Sequence, residues 1–220
     1  PRNTLSFLLY NIPMPISTRL SRDFYNRSTL QVARDLLGAR LVKIEDGGRI
    51  SGVIVETEAY RGEEDQGCHA RAGRTPRTEV MYGQPGHAYV YFTYGMHWML
   101  NFVVEEEGFP AAVLIRAIVP IEGLEVIEER RRGRQRSHWT DGPAKICQAL
   151  GIDKRFNGAD LCAGDSELFI EQGILFSEDS VTTGPRVGLN SVPEPWKSIP
   201  WRFCADIEVD DLNEAMRGDD

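Results

Sequence analysis

Residues 87–104 read HAYVYFTYGMHWMLNFVV, and this stretch decides the fold class. Two runs of aromatic and β-branched residues, His87 to Thr93 and Met96 to Val104, are typical of β-strands. Tyr94-Gly95 lies between them and predicts a tight reversal, so the stretch is expected to form a β-hairpin. A tyrosine at the tip is an awkward choice, because Asn, Asp or Gly adopts turns more readily.

The flanking sequence predicts further strands. Arg40 to Ile44 and Arg49 to Tyr60 are joined across Asp46-Gly47-Gly48, a good turn sequence, and a buried strand is expected over Ala111 to Ile118. Shorter strands are expected nearer the C-terminus, over Phe169 to Gln172, Pro185 to Leu189 and Trp201 to Ile207.

Helices are expected in three places, over Ser21 to Leu37, Ile121 to Arg132 and Pro143 to Leu150. Gly62 to Pro85 is rich in Gly, Pro and charge and predicts a long loop with one short helix. The elements follow no βαβα rhythm, which predicts an α+β fold in one compact domain over residues 1–220. An N-terminal extension (1–20) and a mobile acidic tail (208–220) are expected at its ends.

Composition sets limits on the class of protein. The chain has 220 residues, 41% of them hydrophobic, which suits a globular domain. Its four cysteines include no C-x-x-C pair and its four histidines match no ligand spacing, so a metal site and a redox dithiol are not expected. The apolar stretch Leu5 to Ile12 is too short to span a bilayer, and a cytoplasmic protein is expected.

Charge distribution bears on the choice of partner. The formal net charge of −8 argues against a nucleic-acid binder, because Lys and Arg supply that affinity. Arg71, Arg74 and Arg77 nevertheless lie within seven residues, and a second basic run covers residues 130–136. A protein that is acidic overall can carry one basic face.

Glu56, Glu58 and Tyr60 share one face of the predicted strand, because side chains alternate along a strand. Two neighbouring carboxylates are most often a solvated strand edge with salt bridges. A glycosidase pair is an alternative, but such carboxylates flank the bond, usually from separate strands.

Several segments together carry a resemblance to a known family. They are Val55-Glu56-Thr57-Glu58-Ala59-Tyr60, Glu64-Asp65, His69, Tyr89-Val90-Tyr91, Tyr94-Gly95-Met96, Asn101, Leu114-Ile115-Arg116-Ala117, the segment 142–150, Arg186-Val187-Gly188, Trp196 and Arg202-Phe203. In this order they closely resemble the 3-methyladenine (alkyladenine) DNA glycosylase family. The resemblance covers roughly residues 25–207.

The resemblance implies a fold and an activity. It implies one mixed α/β domain with a central antiparallel sheet and a protruding β-hairpin that intercalates into DNA. It implies a monomer without cofactor or metal that acts on double-stranded DNA containing damaged purines. No lysine nucleophile is evident, so we expect a monofunctional enzyme that leaves an abasic site. Its location would be the nucleoid in a bacterium or the nucleus in a eukaryote.

The resemblance also assigns catalytic roles. Glu58 matches the glutamate that activates water for attack on the N-glycosidic bond. Arg116 matches an arginine that holds this water and keeps the carboxylate ionised. The backbone carbonyl of Val187 is expected to accept the remaining hydrogen bond of the water. Glu56 is expected to have a structural role.

Further residues are implied to bind the flipped nucleotide. Tyr60 lies on one side of a stacking slot, with His69 and Tyr91 on the other, and Asn101 crowds the exocyclic amine of normal guanine. Tyr94 is the wedge that fills the gap in the duplex, which agrees with an aromatic residue at the hairpin tip. The expected contacts to the DNA backbone are Arg71, Arg74 and Arg77.

Two departures and one alternative function accompany this interpretation. Cys68 precedes His69 where a small residue is expected, and it is expected to alter the width of the slot. Glu105, Glu106 and Glu107 place acidic charge near the hairpin, which is expected to weaken DNA binding. A binding module of the same fold, which recognises lesions or RNA without cutting, would keep Tyr94 and the arginines but would not need Glu58.

Overall fold

The computed structural model describes residues 18–205. The predicted tail (208–220) lies outside the described residues, as does all but the end of the predicted N-terminal extension (1–20). Within the described range the α+β prediction is confirmed, because short helices pack on an eight-stranded antiparallel sheet.

The strands and helices have the following bounds. The strands are β1 (Arg40–Glu45), β2 (Gly48–Arg61), β3 (Ala88–Thr93), β4 (His97–Val103), β5 (Ala111–Glu122), β6 (Leu168–Glu171), β7 (Val181–Gly184) and β8 (Arg202–Ala205). The helices are α1 (Arg22–Tyr25), α2 (Thr29–Asp35), α3 (Leu124–Arg130) and α4 (Pro143–Leu150). Single 3₁₀ turns cover His69–Ala72, Glu79–Tyr82, Arg136–His138, Lys154–Phe156 and Glu178–Ser180.

Strand β2 is the centre of the sheet. The order is β3-β4-β5-β2-β1-β6, with β8 pairing with β2 and β7 pairing with β8. β1 pairs with the first half of β2, and β8 pairs with Glu56 to Glu58 further along the same edge. The second half of β2 therefore has neighbours on both sides, so its side chains are held at fixed positions.

The two faces of the sheet are covered differently. Helices α2 and α4 pack on one face, and the main core lies there, with Ile54, Phe102 and Ile115 among its fully buried side chains. On the other face the loop from Gly62 to Pro85 covers a smaller apolar cluster that includes Met81 and Tyr89. The predicted site residues Tyr60 and Tyr91 pack against this smaller cluster.

Several predicted boundaries were wrong. The helix predicted over Ser21 to Leu37 is two helices, because Ser28 begins a new one by accepting the backbone N–H of Gln31. The helix predicted from Ile121 begins at Leu124, because Glu122 still pairs with Ser51 in the sheet.

Other errors lie in loops. Pro185 to Leu189 is a turn rather than a strand, since Pro185 has no N–H for a ladder and Gly188 has a φ of +82°. The strand in that region is β7, which ends before Pro185. The Gly62 to Pro85 loop contains two 3₁₀ turns instead of one short helix.

Candidate active site

A row of side chains crosses four strands on the loop-covered face. Glu58 on β2 is opposite Leu114 on β5, Leu114 is opposite Asn101 on β4, and Asn101 is opposite Tyr89 on β3. Residues directly opposite each other share a face, so sheet pairing alone brings Glu58 and Asn101 onto one surface.

Glu58 is fully buried, and its carboxylate is surrounded by hydrogen-bond donors. Val187 N–H donates to Oε1 at 2.6 Å, and the Tyr60 hydroxyl donates to Oε2 at 2.8 Å. Arg116 Nη1 lies 3.4 Å from Oε2. A carboxylate has about four acceptor positions, so these three donors leave room for one further donor, such as a water molecule.

Arg116 is held between two glutamates. Its Nε donates to Glu56 Oε1 at 2.9 Å, while its Nη1 faces Glu58. Arg116 itself lies at a register shift, since Ala117 pairs with Glu56 and Ile115 with Thr57. A β-bulge of this kind re-aims a side chain, here toward both carboxylates. Arg202 also reaches Glu56 Oε1, at 3.4 Å.

Burial dominates the protonation equilibrium of Glu58. Loss of solvent raises the pKa of the Glu58 carboxyl above 4.5, and the nearby Glu56 charge acts in the same direction. Arg116, the Val187 amide and the Tyr60 hydroxyl lower this pKa but do not offset the burial. Arg116 therefore lowers the pKa of Glu58, as expected, but by less than burial raises it.

The predicted stacking residues lie together. The His69 and Tyr91 rings meet edge to face, with centroids 4.5 Å apart, and Tyr60 packs against the same apolar cluster. The tilted ring of Tyr89 is 5.4 Å from Tyr91. Cys68 is buried in this cluster and accepts the backbone N–H of Ala70.

His69 is held as a neutral donor. Burial, with smaller contributions from the Arg77 and Arg71 charges, lowers the pKa of His69 to about 4. Arg77 can only donate, and its Nη2 lies 3.4 Å from His69 Nε2, so Nε2 carries the lone pair. Nδ1 therefore bears the proton and donates to the Tyr89 hydroxyl at 3.0 Å.

Asn101 lies on β4, between β3 and β5, and is buried. Its Nδ2 donates to the Tyr89 carbonyl at 3.1 Å, so the amide nitrogen is fixed by the hairpin. That bond fixes the orientation of the amide.

The hairpin tip places Tyr94 in solvent. Its side chain is 81% exposed and its φ is +52°, a left-handed conformation that is uncommon for a tyrosine. Phe92 and Met96 beside it are also exposed. An exposed aromatic residue in an unfavourable conformation is not explained by packing.

The three arginines that are predicted to contact the DNA backbone are exposed, but they differ in their contacts within the protein. Arg71 donates to the Gln66 carbonyl, and Arg74 forms a two-pronged ion pair with Glu79. Arg77 lies 5.2 Å from the centre of the Tyr91 ring. Arg77 is thus part of the slot as well as a candidate phosphate contact.

The acidic loop is only partly available to repel DNA. Glu105 accepts from Thr29 at the start of α2 and from Arg61 Nε at 2.8 Å, so its charge is paired inside the fold. Glu106 and Glu107 are exposed.

Sequence reasoning missed a buried ion pair that supports the site. Arg186 and Asp65 are both fully enclosed and form two hydrogen bonds of 2.5 and 2.8 Å. Arg186 also donates to the Ala59 carbonyl at 3.0 Å and stacks 4.6 Å from the Tyr60 ring. This pair therefore fixes Val187 against Glu58. Both residues lie in the segments that carry the resemblance, but nothing in one sequence pairs charges 121 residues apart.

Comparison with known proteins supplies the family. The sequence profile of the family described as Methylpurine-DNA glycosylase (MPG) matches residues 23–208. The chain belongs to the methylpurine-DNA glycosylase family. The matched range includes every site residue described above.

Individual proteins are also similar to this chain over most of their length. One from Methanocella arvoryzae is 50% identical over 191 residues, which are 86% of this chain and 92% of the relative. One from Desulfitobacterium hafniense is 49% identical over 194 residues, covering 84% and 94%. Each bears the name "Putative 3-methyladenine DNA glycosylase".

No helix between residues 18 and 205 has the length and apolar character needed to cross a membrane. That range also holds no cluster of three or more His, Cys, Asp or Glu side chains arranged to bind a metal ion.

Proposed function

We propose that this protein is a DNA repair glycosylase that removes alkylated or deaminated purines from double-stranded DNA. The damaged nucleotide is flipped out of the helix, and water activated by Glu58 hydrolyses its N-glycosidic bond. The observation that carries the proposal is the environment of Glu58, a buried carboxylate with three donors and one free acceptor position. Family membership supplies the substrate class.

The chemistry follows from the charges at the site. Cleavage passes through an oxocarbenium-like state, so positive charge develops on the deoxyribose. An anionic Glu58 beside this carbon stabilises that charge and accepts a proton from the attacking water. Water oxygen bonds to the anomeric carbon, the bond to the base nitrogen breaks, and its electron pair leaves with the base.

The donors around Glu58 keep it in place for this step. The Val187 amide holds Oε1 and the Tyr60 hydroxyl holds Oε2, so the carboxylate cannot rotate freely. Burial raises the pKa of the Tyr60 hydroxyl well above its usual value, so it stays a hydrogen-bond donor at neutral pH. Arg116 limits the cost of ionising Glu58, and the Val187 carbonyl is proposed to accept from the same water.

Recognition is proposed to use the aromatic side chains. A flipped purine stacks between Tyr60 on one side and His69 with Tyr91 on the other, and each ring contributes about 1–3 kcal/mol. Tyr94 fills the gap left in the duplex, where unstacking costs a few kcal/mol. Asn101 excludes normal guanine by crowding its amine. The protein acts as a monomer and, because no lysine among residues 18–205 contacts Glu58, leaves an abasic site without cutting the strand.

Two other functions have less support. A sugar hydrolase needs two carboxylates on opposite sides of the bond that is cleaved. Glu56 and Glu58 instead project from the same face of one strand and share Arg116. A silent binding module has no need of a buried, ionisable Glu58, which costs stability.

The test is base release from a duplex oligonucleotide with one alkylated purine, compared with the same duplex without the lesion. We expect release of the damaged base only, and strand cleavage only after treatment with alkali. Cleavage without alkali would contradict the monofunctional mechanism. Binding of the lesion without release would contradict the glycosylase activity and favour the binding module.

A further inference from the structure

Glu56 binds the same arginine as Glu58 but has no part in the chemistry proposed above. It lies on β2, with β5 paired on one side and β8 on the other, and its side chain is largely buried. Its Oε1 accepts from Arg116 Nε at 2.9 Å and lies 3.4 Å from Arg202 Nη1. Arg116 Nη1 lies 3.4 Å from Glu58 Oε2. Arg116 therefore makes its shorter contact with Glu56.

Ion pairing alone does not account for a carboxylate at position 56. Arg116 already has an acidic partner in Glu58, and Arg202 is partly exposed, so water can solvate its charge. The Glu56 charge instead repels the charge of Glu58 and disfavours its ionisation. Glu56 thus acts directly on the group that is proposed to activate water.

Glu56 also limits how Arg116 can pair with Glu58. A guanidinium that is free to turn pairs with a carboxylate through two parallel hydrogen bonds. Arg116 Nε is bound to Glu56, so the edge of the guanidinium that carries Nε is not available to Glu58, which meets Nη1 instead. A two-pronged pair would occupy acceptor positions on Glu58 that the attacking water needs, and it would make the carboxylate a weaker base.

Several titratable groups that face the site stay neutral at neutral pH. They lie on β2, β3 and β8, and burial raises the pKa of each: Tyr60, Tyr91 and Cys204. Arg186, which lies over the Tyr60 ring, is charged but is paired with Asp65 inside the fold. These groups therefore keep their charge state while Glu58 titrates.

The remaining charges around Glu58 balance. Among residues 18–205 they are Glu56 on β2, Arg116 on β5 and Arg202 on β8. With Glu58 ionised, two carboxylates face two guanidinium groups. Neutralising Glu56 leaves an excess of positive charge at Glu58, whereas neutralising Arg202 leaves an excess of negative charge.

We propose that Glu56 is a positioning residue for the reaction, which together with Arg202 draws Arg116 partly away from Glu58 and keeps Glu58 basic enough to accept a proton from water. Glu56 acts through Arg116 rather than on the substrate. Without the Glu56 charge, Arg116 pairs with Glu58 alone, and Glu58 ionises at lower pH and is a weaker base. This inference rests on the proposed function, because it assigns a role in base release.

The test compares Glu56→Gln with Glu171→Gln. Glu171 on β6 also bridges two arginines, Arg40 and Arg49, and is also buried, but β1 separates β6 from β2. Single-turnover release of a cationic lesion is measured as a function of pH, together with urea unfolding. We expect the acid limb for Glu56→Gln to move to lower pH by about one pH unit and its plateau rate to fall several-fold. Glu171→Gln should leave the acid limb in place, whatever its effect on stability.

Two further variants test the sign of the effect. Arg202→Gln removes the opposite charge and should move the acid limb to higher pH. Glu56→Asp keeps the charge and should return the limb toward its native position. A purely structural role for Glu56 would lower stability without opposite shifts. An unmoved limb in both Glu56→Gln and Arg202→Gln, or shifts in the same direction, would overturn the proposal.

The protonation of Glu58 can also be measured without DNA. Glutamate labelled at the carboxyl carbon is titrated by NMR, and the Glu58 resonance is assigned by its loss in Glu58→Gln. We expect the Glu58 midpoint to fall in Glu56→Gln and to rise in Arg202→Gln. Base release by the native protein with unmoved midpoints in the variants rejects the role of Glu56 alone. Moved midpoints without base release by the native protein reject the glycosylase and keep the coupling between Glu56 and Glu58.

Discussion

The backbone amide of Val187 donates a hydrogen bond of 2.6 Å to Glu58 Oε1, which joins segments 129 residues apart in the chain. Val187 is held there because the preceding Arg186 is anchored by Asp65 and by the Ala59 carbonyl. Through this anchor a buried ion pair fixes a backbone donor at the carboxylate proposed to activate water. The buried ion pair between Arg186 and Asp65 therefore also positions the carboxylate of Glu58.

The pH dependence of base release should follow Glu58. Burial raises the pKa of its carboxyl above 4.5, and the base form is lost as pH falls through that raised value. Single-turnover rates on a cationic lesion should therefore decline on the acid side at a pH above 4.5. His69, with a pKa of about 4, should add no inflection between about pH 5 and 8. A flat profile down to pH 4.5 would contradict this assignment.

The same shift affects stability. The folded state binds the Glu58 proton more tightly than the unfolded state, so the stability gained by protonation is present below pH 4.5 and is lost as pH rises through the folded pKa. The stability of Glu58→Gln relative to the native protein should therefore increase with pH in that window, measured by urea unfolding.

Tyr94→Gly should separate function from stability. Its left-handed backbone, at a φ of +52°, costs tyrosine about 1–2 kcal/mol that glycine does not incur, although glycine loses more entropy on folding. The free energy of unfolding should consequently stay within about 1 kcal/mol of the native value. Affinity for lesion DNA should decrease at least roughly 10-fold, because the proposed wedge is absent. Unchanged affinity, with matched stability, would remove Tyr94 from the account.

Asp65→Asn should destabilise the fold strongly. It leaves the Arg186 charge without its ion-pair partner in a fully buried position, which costs about 3–5 kcal/mol. Glu79→Gln is the matched control, since it breaks an equally well-formed pair with Arg74 on the surface, where such pairs contribute only about 0–1 kcal/mol. Urea unfolding of both variants measures the difference. Similar losses for the two would show that the buried pair is not a special anchor.

The elements set by local patterns could be predicted from the sequence, and those set by distant contacts could not. The hairpin and β2 follow from strand propensity and turn residues, and the structure has both. The strand predicted at Pro185 to Leu189 was wrong because short apolar runs resemble strands, whereas this segment turns to anchor Arg186 and Val187 on β2.

The candidate site shows the same division. Alternation along β2 placed Glu56, Glu58 and Tyr60 on one face, and contacts with Arg116 and between Glu58 and Tyr60 agree. The bond between Tyr89 and His69, by contrast, could not be predicted, because it depends on how the Gly62 to Pro85 loop folds. Chemical roles came from the resemblance and stay predictions.

The charge of the lesion should control the rate. Alkylated purines already carry positive charge and depart without protonation, whereas hypoxanthine or ethenoadenine needs a general acid, and His69 with a pKa of about 4 is a poor proton donor at neutral pH. We expect faster single-turnover release of cationic than of neutral lesions. Comparable rates with the same pH profile for both kinds of lesion would contradict this expectation.

The most direct test of the central claim is single-turnover base release by Glu58→Gln, with lesion binding measured on the same preparation. Glutamine keeps the shape of the side chain but neither carries the charge nor accepts the water proton. The account predicts that release of an alkylated purine falls by at least about 100-fold while lesion binding is retained. Release at the native rate would show that Glu58 does not activate the water and would contradict the mechanism.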